Sequence, residues 1–254
     1  MAEALLEVRG LYKHFGGVVA TDRLDLAVRE GGVHALIGPN GAGKTTLIAQ
    51  ICGEIEPDAG QVLFAGRDIT GLPGHERVAL GLGRSFQITR IFRSLTARDN
   101  VALAVQARSG SSMRFWRPVA AERALADDAD AVLGGLGMAA ASGLPASSLP
   151  HADQRRLEVA IALACRPRLL LLDEPLAGMG AEDAQAMVGV IGQLKQRTTI
   201  LMVEHDMDAV FRLADVISVL VGGKVIASGA PQAIRDDPEV RRAYLGEEET
   251  AAAA

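Results

Sequence analysis

Nine residues constrain this chain more tightly than any others: Gly38-Pro-Asn-Gly-Ala-Gly-Lys-Thr-Thr46. They match the pattern G-x-x-x-x-G-K-[ST], in which glycines let successive backbone N–H groups turn inward around phosphate oxygens. The flanks fit the same reading. Val33–Ile37 is an apolar run that reads as a buried strand leading straight into the glycines. Thr45–Cys52 reads as a helix that stops at Gly53, and its positive N-terminal end would face the same phosphates. Lys44 would put a point charge on the outer phosphates, and Thr45 a hydroxyl on Mg²⁺. Gly38, Pro39, Asn40, Gly41, Ala42, Gly43, Lys44, Thr45 and Thr46 are therefore the expected phosphate contacts. By composition alone the pattern arises in roughly one chain in a hundred of this length, and a strand-to-helix junction is where it has to fall.

A second constellation complements the first. Leu169-Leu-Leu-Leu-Asp173-Glu174-Pro175 is a fully apolar strand that ends on two carboxylates. Open α/β sheets bind ligands at the carboxyl ends of their strands. Asp173 is the expected Mg²⁺ ligand. Glu174 is the candidate general base, placed to orient or deprotonate an attacking water. Ile200–Val203 is another buried strand, followed by Glu204 and His205. A histidine at that edge can contact a γ-phosphate or position the water.

Short apolar runs alternating with helical patterns make this an α/β chain. Strands with no polar alternation are covered on both faces, which implies a mainly parallel sheet. Gln61–Ala65 reads as a further strand, and Val216–Leu220 with Lys224–Ala227 as a hairpin around Gly222–Gly223. Between Ile88 and Leu149 the strand signals vanish. Thr96–Val105 and Glu122–Leu136 are helical and alanine-rich, with a Gly/Ser stretch at Ser109–Ser112 and Trp116 beyond it. This region reads as a helical subdomain inserted into the core.

The 254 residues and an apolar fraction of 49% allow a substantial core. A net charge of −5 argues against a protein that coats nucleic acid. Two cysteines, Cys52 and Cys165, make neither a disulfide framework nor a metal cluster. The first residues carry no secretory signal pattern, and no apolar run approaches a membrane span. Any membrane role is thus expected through a partner.

Together these motifs resemble the ABC transporter ATPase family, over roughly Leu5 to Glu247. The resemblance implies one phosphate-loop ATPase domain over residues 1–254. Its core would comprise 1–87 and 156–246, with an antiparallel β part, an inserted helical subdomain at 88–155 and a disordered tail at 247–254. It implies that Phe15 stacks on the adenine of ATP. It implies that Gln87 senses Mg²⁺ and the γ-phosphate, and that His205 is a switch histidine. Finer features are similar to the ATPases of branched-chain amino acid importers: Phe15-Gly-Gly-Val-Val-Ala20, Ser85-Phe-Gln-Ile-Thr-Arg-Ile-Phe92, Val203-Glu-His-Asp-Met-Asp208 and Asp237-Pro-Glu-Val-Arg-Arg-Ala-Tyr-Leu-Gly246. The implied partners are transmembrane permease subunits, a second ATPase subunit in a homo- or heterodimer and, indirectly, a solute-binding protein, with no nucleic acid. The implied location is the cytoplasmic face of the membrane, as a peripheral subunit.

One element departs from the family pattern. A Leu-Ser-Gly-Gly-Gln type signature should fall at Leu149–Asp153, where the chain reads Leu149-Pro150-His151-Ala152-Asp153-Gln154. Pro150 replaces a serine that would meet the partner's γ-phosphate, and it offers neither hydroxyl nor N–H. Ala152 replaces a glycine that lets backbone approach phosphate. Asp153 adds negative charge near the start of a helix expected to begin there. Gly180 stands where an aspartate or asparagine is common. The expectation is normal ATP binding with slow hydrolysis by a homodimer. The rival readings are an exporter or lipid-handling ATPase of the same family, a soluble ABC protein, and a small-molecule kinase.

Overall fold

The computed structural model describes residues 4–84, 91–108 and 123–245. In chain order the strands are β1 (Ala4–Phe15), β2 (Val18–Arg29), β3 (Val33–Ile37), β4 (Ala59–Phe64), β5 (Arg67–Asp68), β6 (Leu82–Arg84), β7 (Leu169–Asp173), β8 (Thr199–Val203), β9 (Val216–Val221) and β10 (Lys224–Gly229). The helices are α1 (Lys44–Cys52), α2 (Gly74–Ala79), α3 (Ala97–Arg108), α4 (Arg123–Gly135), α5 (His151–Ala164), α6 (Ala181–Leu194), α7 (Met207–Leu213), α8 (Pro231–Asp236) and the short α9 (Pro238–Val240). The chain divides into two compact units, Met1–Arg77 with Lys195–Ala254, and Val78–Leu194.

The first unit carries two sheets. One is antiparallel, in the order β2–β1–β4–β5. In the other, β3 lies parallel to β8 on one side and to β9 on the other, and β9 turns back antiparallel into β10. Every residue of β3 and β8 is buried, as the unbroken apolar runs require. Full burial of each Leu, Ile or Val is worth roughly 1.5–3 kcal/mol. The β9–β10 turn uses Gly222 and Gly223 at φ 53° and 78°, the left-handed pair that a tight hairpin of the observed twist needs.

The two long strands β1 and β2 are absent from the sequence expectations. Their alternation is clear only in Leu24–Arg29, where buried and exposed residues strictly alternate. Elsewhere register shifts between Val8 and Leu11 and between Leu11 and Lys13 interrupt it. Gly10 and Arg23 adopt left-handed φ values of 56° and 47°, and bulges of this kind break a period-two pattern.

In the second unit β6 and β7 are parallel neighbours. Helices α3, α4 and α5 pack against one another through Val101, Val105, Leu125, Ala129, Leu133 and Leu157, all buried. The expected C-terminal edge of the helical insertion, residue 155, falls inside α5, which runs unbroken from His151. Residue 88, Gln87, Arg90, the Ser109–Ser112 stretch, Trp116 and the 247–254 tail lie outside the described residues.

Candidate nucleotide site

The phosphate loop is held by backbone contacts from three sides of the first unit. A Cβ on Gly38 would sit 2.0 Å from the Leu220 carbonyl oxygen of β9, and one on Gly43 would sit 2.1 Å from the Ala20 oxygen of β2. Neither space admits any other residue. Gly223 N–H donates to the Ala42 carbonyl at 2.9 Å, and Asp22 N–H donates to Gly223 at 2.9 Å. The hairpin turn thus props the loop from beneath. Gly43 caps α1 with φ 103°. Lys44 is buried, and its Nζ donates to the carbonyls of Gly38 at 2.5 Å and Pro39 at 2.9 Å. With the amine folded back on the loop, its charge lies at the centre of the cradle. Thr45, by contrast, is exposed, so its hydroxyl is open to a cation.

Helix α1 is anchored at its far end by a residue that sequence reading passed over. Arg77 is 1% exposed. Its guanidinium donates to the carbonyls of Gln50, Ile51, Leu72 and Thr70 at 2.7–2.8 Å. Two of these are carbonyls of the last turn of α1, where a cation also complements the helix dipole. Arginine is normally exposed, so only the structure reveals this one as a C-terminal cap. Thr21 Oγ1 donates to Gln50 Oε1 at 3.2 Å, tying the same helix to β2.

Phe15 ends β1 and is 49% exposed, beside exposed Val18 and Val19. An aromatic and two valines in water make an apolar platform. Its base is set by Asp58, which accepts from Lys13 Nζ at 2.7 Å, from the His14 N–H at 2.9 Å and from the His14 ring at 2.7 Å. The Lys13 hydrogen bond first, and the His14 N–H next, hold the Asp58 carboxyl down at about 2. Lys13 Nζ also lies 5.6 Å from the Phe15 ring centre. At the end of β8, Glu204 is buried, and its carboxylate accepts from the His205 N–H at 2.9 Å. His205 itself is exposed. Asp206 caps α7, accepting from Ala209 N–H at 3.1 Å. Glu204 is a second support that sequence reading named only in passing. It fixes the backbone that presents His205.

In the second unit Asp173 ends β7 with 2% exposure, and an Arg84 guanidinium nitrogen lies 3.3 Å from its Oδ2. Glu174 follows with φ 51°. A non-glycine residue in the left-handed region is uncommon and costs about 1–2 kcal/mol. Such strain gathers where a side chain must be aimed.

Helix α5 starts at His151, two residues before the expected Asp153, with Pro150 as its cap and no side-chain capping bond. Pro150 is exposed and its carbonyl accepts from Gln154 N–H at 2.9 Å. Ala152 is buried, at 6% exposure, so its side chain packs inward. Asp153 pairs with Arg156 at 3.1 Å, which offsets part of the charge that the sequence places there. The His151 ring lies against Gly178, 3.4 Å from where a Cβ would stand. The loop after Glu174 and the head of α5 therefore touch.

Comparison with known proteins decides the family. A model described as ABC transporter matches residues 21–177. One described as branched-chain amino acid ATP-binding cassette transporter matches residues 224–250. The high-affinity branched-chain amino acid transport ATP-binding protein LivG of Salmonella typhimurium is 38% identical, covering 97% of this chain and all of that one. This chain belongs to the ABC transporter family. The lipopolysaccharide export system ATP-binding protein LptB of Acidithiobacillus ferridurans is 35% identical over 96% of this chain and 98% of its own. Among solved structures, the ADP conformation of MJ1267, an ATP-binding cassette of an ABC transporter, superposes with a TM-score of 0.84 at 28% identity, covering 96% and 99% of the two chains.

The chain is an ATP-binding ABC subunit and an ATPase, with the α/β phosphate-loop fold expected from its sequence. Mg²⁺ takes one or two protein oxygens and completes its shell with phosphates and water; in the first unit Thr45 offers an exposed hydroxyl, and in the second Asp173 offers a buried carboxylate. No group of three His, Cys, Asp or Glu residues suited to a metal occurs among the described residues. No helix among them is long and apolar enough to cross a membrane.

Proposed function

We propose that this chain energises an importer of branched-chain amino acids or related small solutes, bound peripherally to transmembrane permease subunits at the cytoplasmic face of the membrane. The observation that carries this reading is full-length similarity to LivG combined with the match at residues 224–250. Similarity to LptB at 35% keeps lipid export as the second reading. In the proposed cycle Phe15 stacks on adenine, and the Gly38–Thr46 backbone with Lys44 holds the phosphates. Thr45, Gln87 and Asp173 are the proposed Mg²⁺ ligands. Bound there, the metal would supply charge neutralisation for the transferring phosphoryl group. Glu174 accepts the proton of the attacking water, and His205 holds that water against the γ-phosphate.

A second ATPase subunit would close over the nucleotide with its own signature segment. In this chain that segment is Pro150, Ala152 and Asp153, which gives a partner little. A heterodimer whose other member carries an ordinary signature suits the intact cradle found here. Proteoliposomes with the genomically adjacent permease and ATPase subunits test both points. ATP-dependent leucine uptake is expected. Stimulation of ATPase activity by lipopolysaccharide-export subunits instead would overturn the importer reading. Full transport with this chain as sole ATPase would overturn the heterodimer.

A further inference from the structure

Asp173 does not stand alone in the second unit. It ends a fully buried strand, its side chain is 1% exposed, and the Arg84 guanidinium lies 3.3 Å away with its own side chain 10% exposed. Arg84 is delivered by rigid backbone. In β6 it stands opposite Leu171 of β7, and Leu171 shares a strand face with Asp173. The register is pinned by Gly81, whose carbonyl accepts from Arg168 N–H at 2.8 Å and Leu169 N–H at 3.1 Å. It is pinned again by Gly83, where a Cβ would stand 2.9 Å from Pro167. A buried carboxylate is costly without a cation, and here the chain supplies one of its own.

We propose that Arg84 is an internal counter-cation for Asp173 that competes with the divalent metal, and so sets how strongly metal and nucleotide binding are coupled. The proposal rests on the reading of Asp173 as the metal-side carboxylate. Without nucleotide, Arg84 holds the carboxylate in place through its 3.3 Å contact. When metal arrives, two cations share one carboxylate in a poorly solvated place, and their repulsion weakens the metal's hold. Arg84 acts through Asp173 and is a positioning residue.

The measurement is ADP affinity of the full chain by calorimetry, once in EDTA and once in saturating Mn²⁺. The ratio of the two dissociation constants is the metal–nucleotide coupling. Arg84→Met removes the competing charge, and the ratio should rise about tenfold. Arg84→Gln keeps a donor for Asp173 without the charge, guards against misfolding, and should show the same rise. Arg84→Lys keeps the charge and should leave the ratio near the parent value. A loss of packing alone would lower both affinities and leave the ratio unmoved. An unchanged or smaller ratio in both the Met and Gln variants overturns the proposal. Asp173→Asn separates the two claims. If it leaves the ratio unchanged, the metal role of Asp173 fails and the proposal fails with it. If it collapses the ratio while the Arg84 variants do nothing, only the role of Arg84 fails.

Discussion

Helices α1 and α5 both begin with free N–H groups and the positive end of a dipole, yet only α1 begins in a shape that can surround a phosphate. Ahead of α1 stand glycines at φ 153°, 76° and 103°, two of them in spaces where a Cβ would strike a carbonyl. Ahead of α5 stands Pro150, and the second residue of that helix packs its methyl inward. A dipole attracts an anion, but enclosing one takes backbone that can turn its N–H groups inward. Two helix ends with the same dipole therefore differ in what their backbone can enclose, according to the three or four residues before them.

The comparison breaks most decisively on the acceptor side. Glu174→Gln should lower ATP hydrolysis by roughly 10²–10⁴-fold, the usual worth of a general base, while nucleotide affinity stays within a few-fold. Steady-state phosphate release and calorimetry read the two effects separately, and hydrolysis at the parent rate would remove Glu174 from the role. The donor side should respond in the opposite direction. Restoring Pro150→Ser with Ala152→Gly gives back a hydroxyl and close backbone approach. One charged hydrogen bond is worth about 1.5–3 kcal/mol, so homodimeric turnover should rise about tenfold or more. No gain would mean that the head of α5 is not what limits the reaction.

The smallest effect separates the two units by pH. His34 lies in β3, buried, with Nε2 2.8 Å from Ser218 Oγ, and burial pushes its pKa from 6.5 down to about 4. The folded protein resists the proton that the unfolded chain accepts. Stability conferred by neutral His34 is therefore complete above pH 6.5 and lost as pH falls toward 4. Between pH 7 and 5.5 the loss should be about 1 kcal/mol. Chemical denaturation at the two pH values would measure it, and His34→Gln should flatten the difference. Hydrogen exchange should show acid loosening β3 and its phosphate loop before the α3–α5 cluster.

Much of this architecture was readable in advance, and the reasons are local. β3, β7 and β8 are unbroken apolar runs because both faces are covered, and their limits fall within a residue of expectation. Gly222–Gly223 announced its hairpin. The loop, Asp173, Glu174 and His205 each follow a strand that points them out. What stayed hidden depends on partners far apart in sequence. Nothing near Arg77 says that it will cap α1 from inside the core, and nothing near Arg84 says that it will meet Asp173. β1 and β2 escaped notice because bulges at Gly10 and Arg23 break their alternation.

The left-handed backbone at Glu174 sets fitness for folding against fitness for work. At φ 51° a glycine would sit without strain, and relief of about 1 kcal/mol would favour it in any screen for thermal tolerance. Such a subunit should melt later and, with the proposed base gone, hydrolyse ATP far more slowly. Selection for stability alone would favour glycine here, as it would at Arg23, Ala65 and Arg166, whose backbones share the left-handed region.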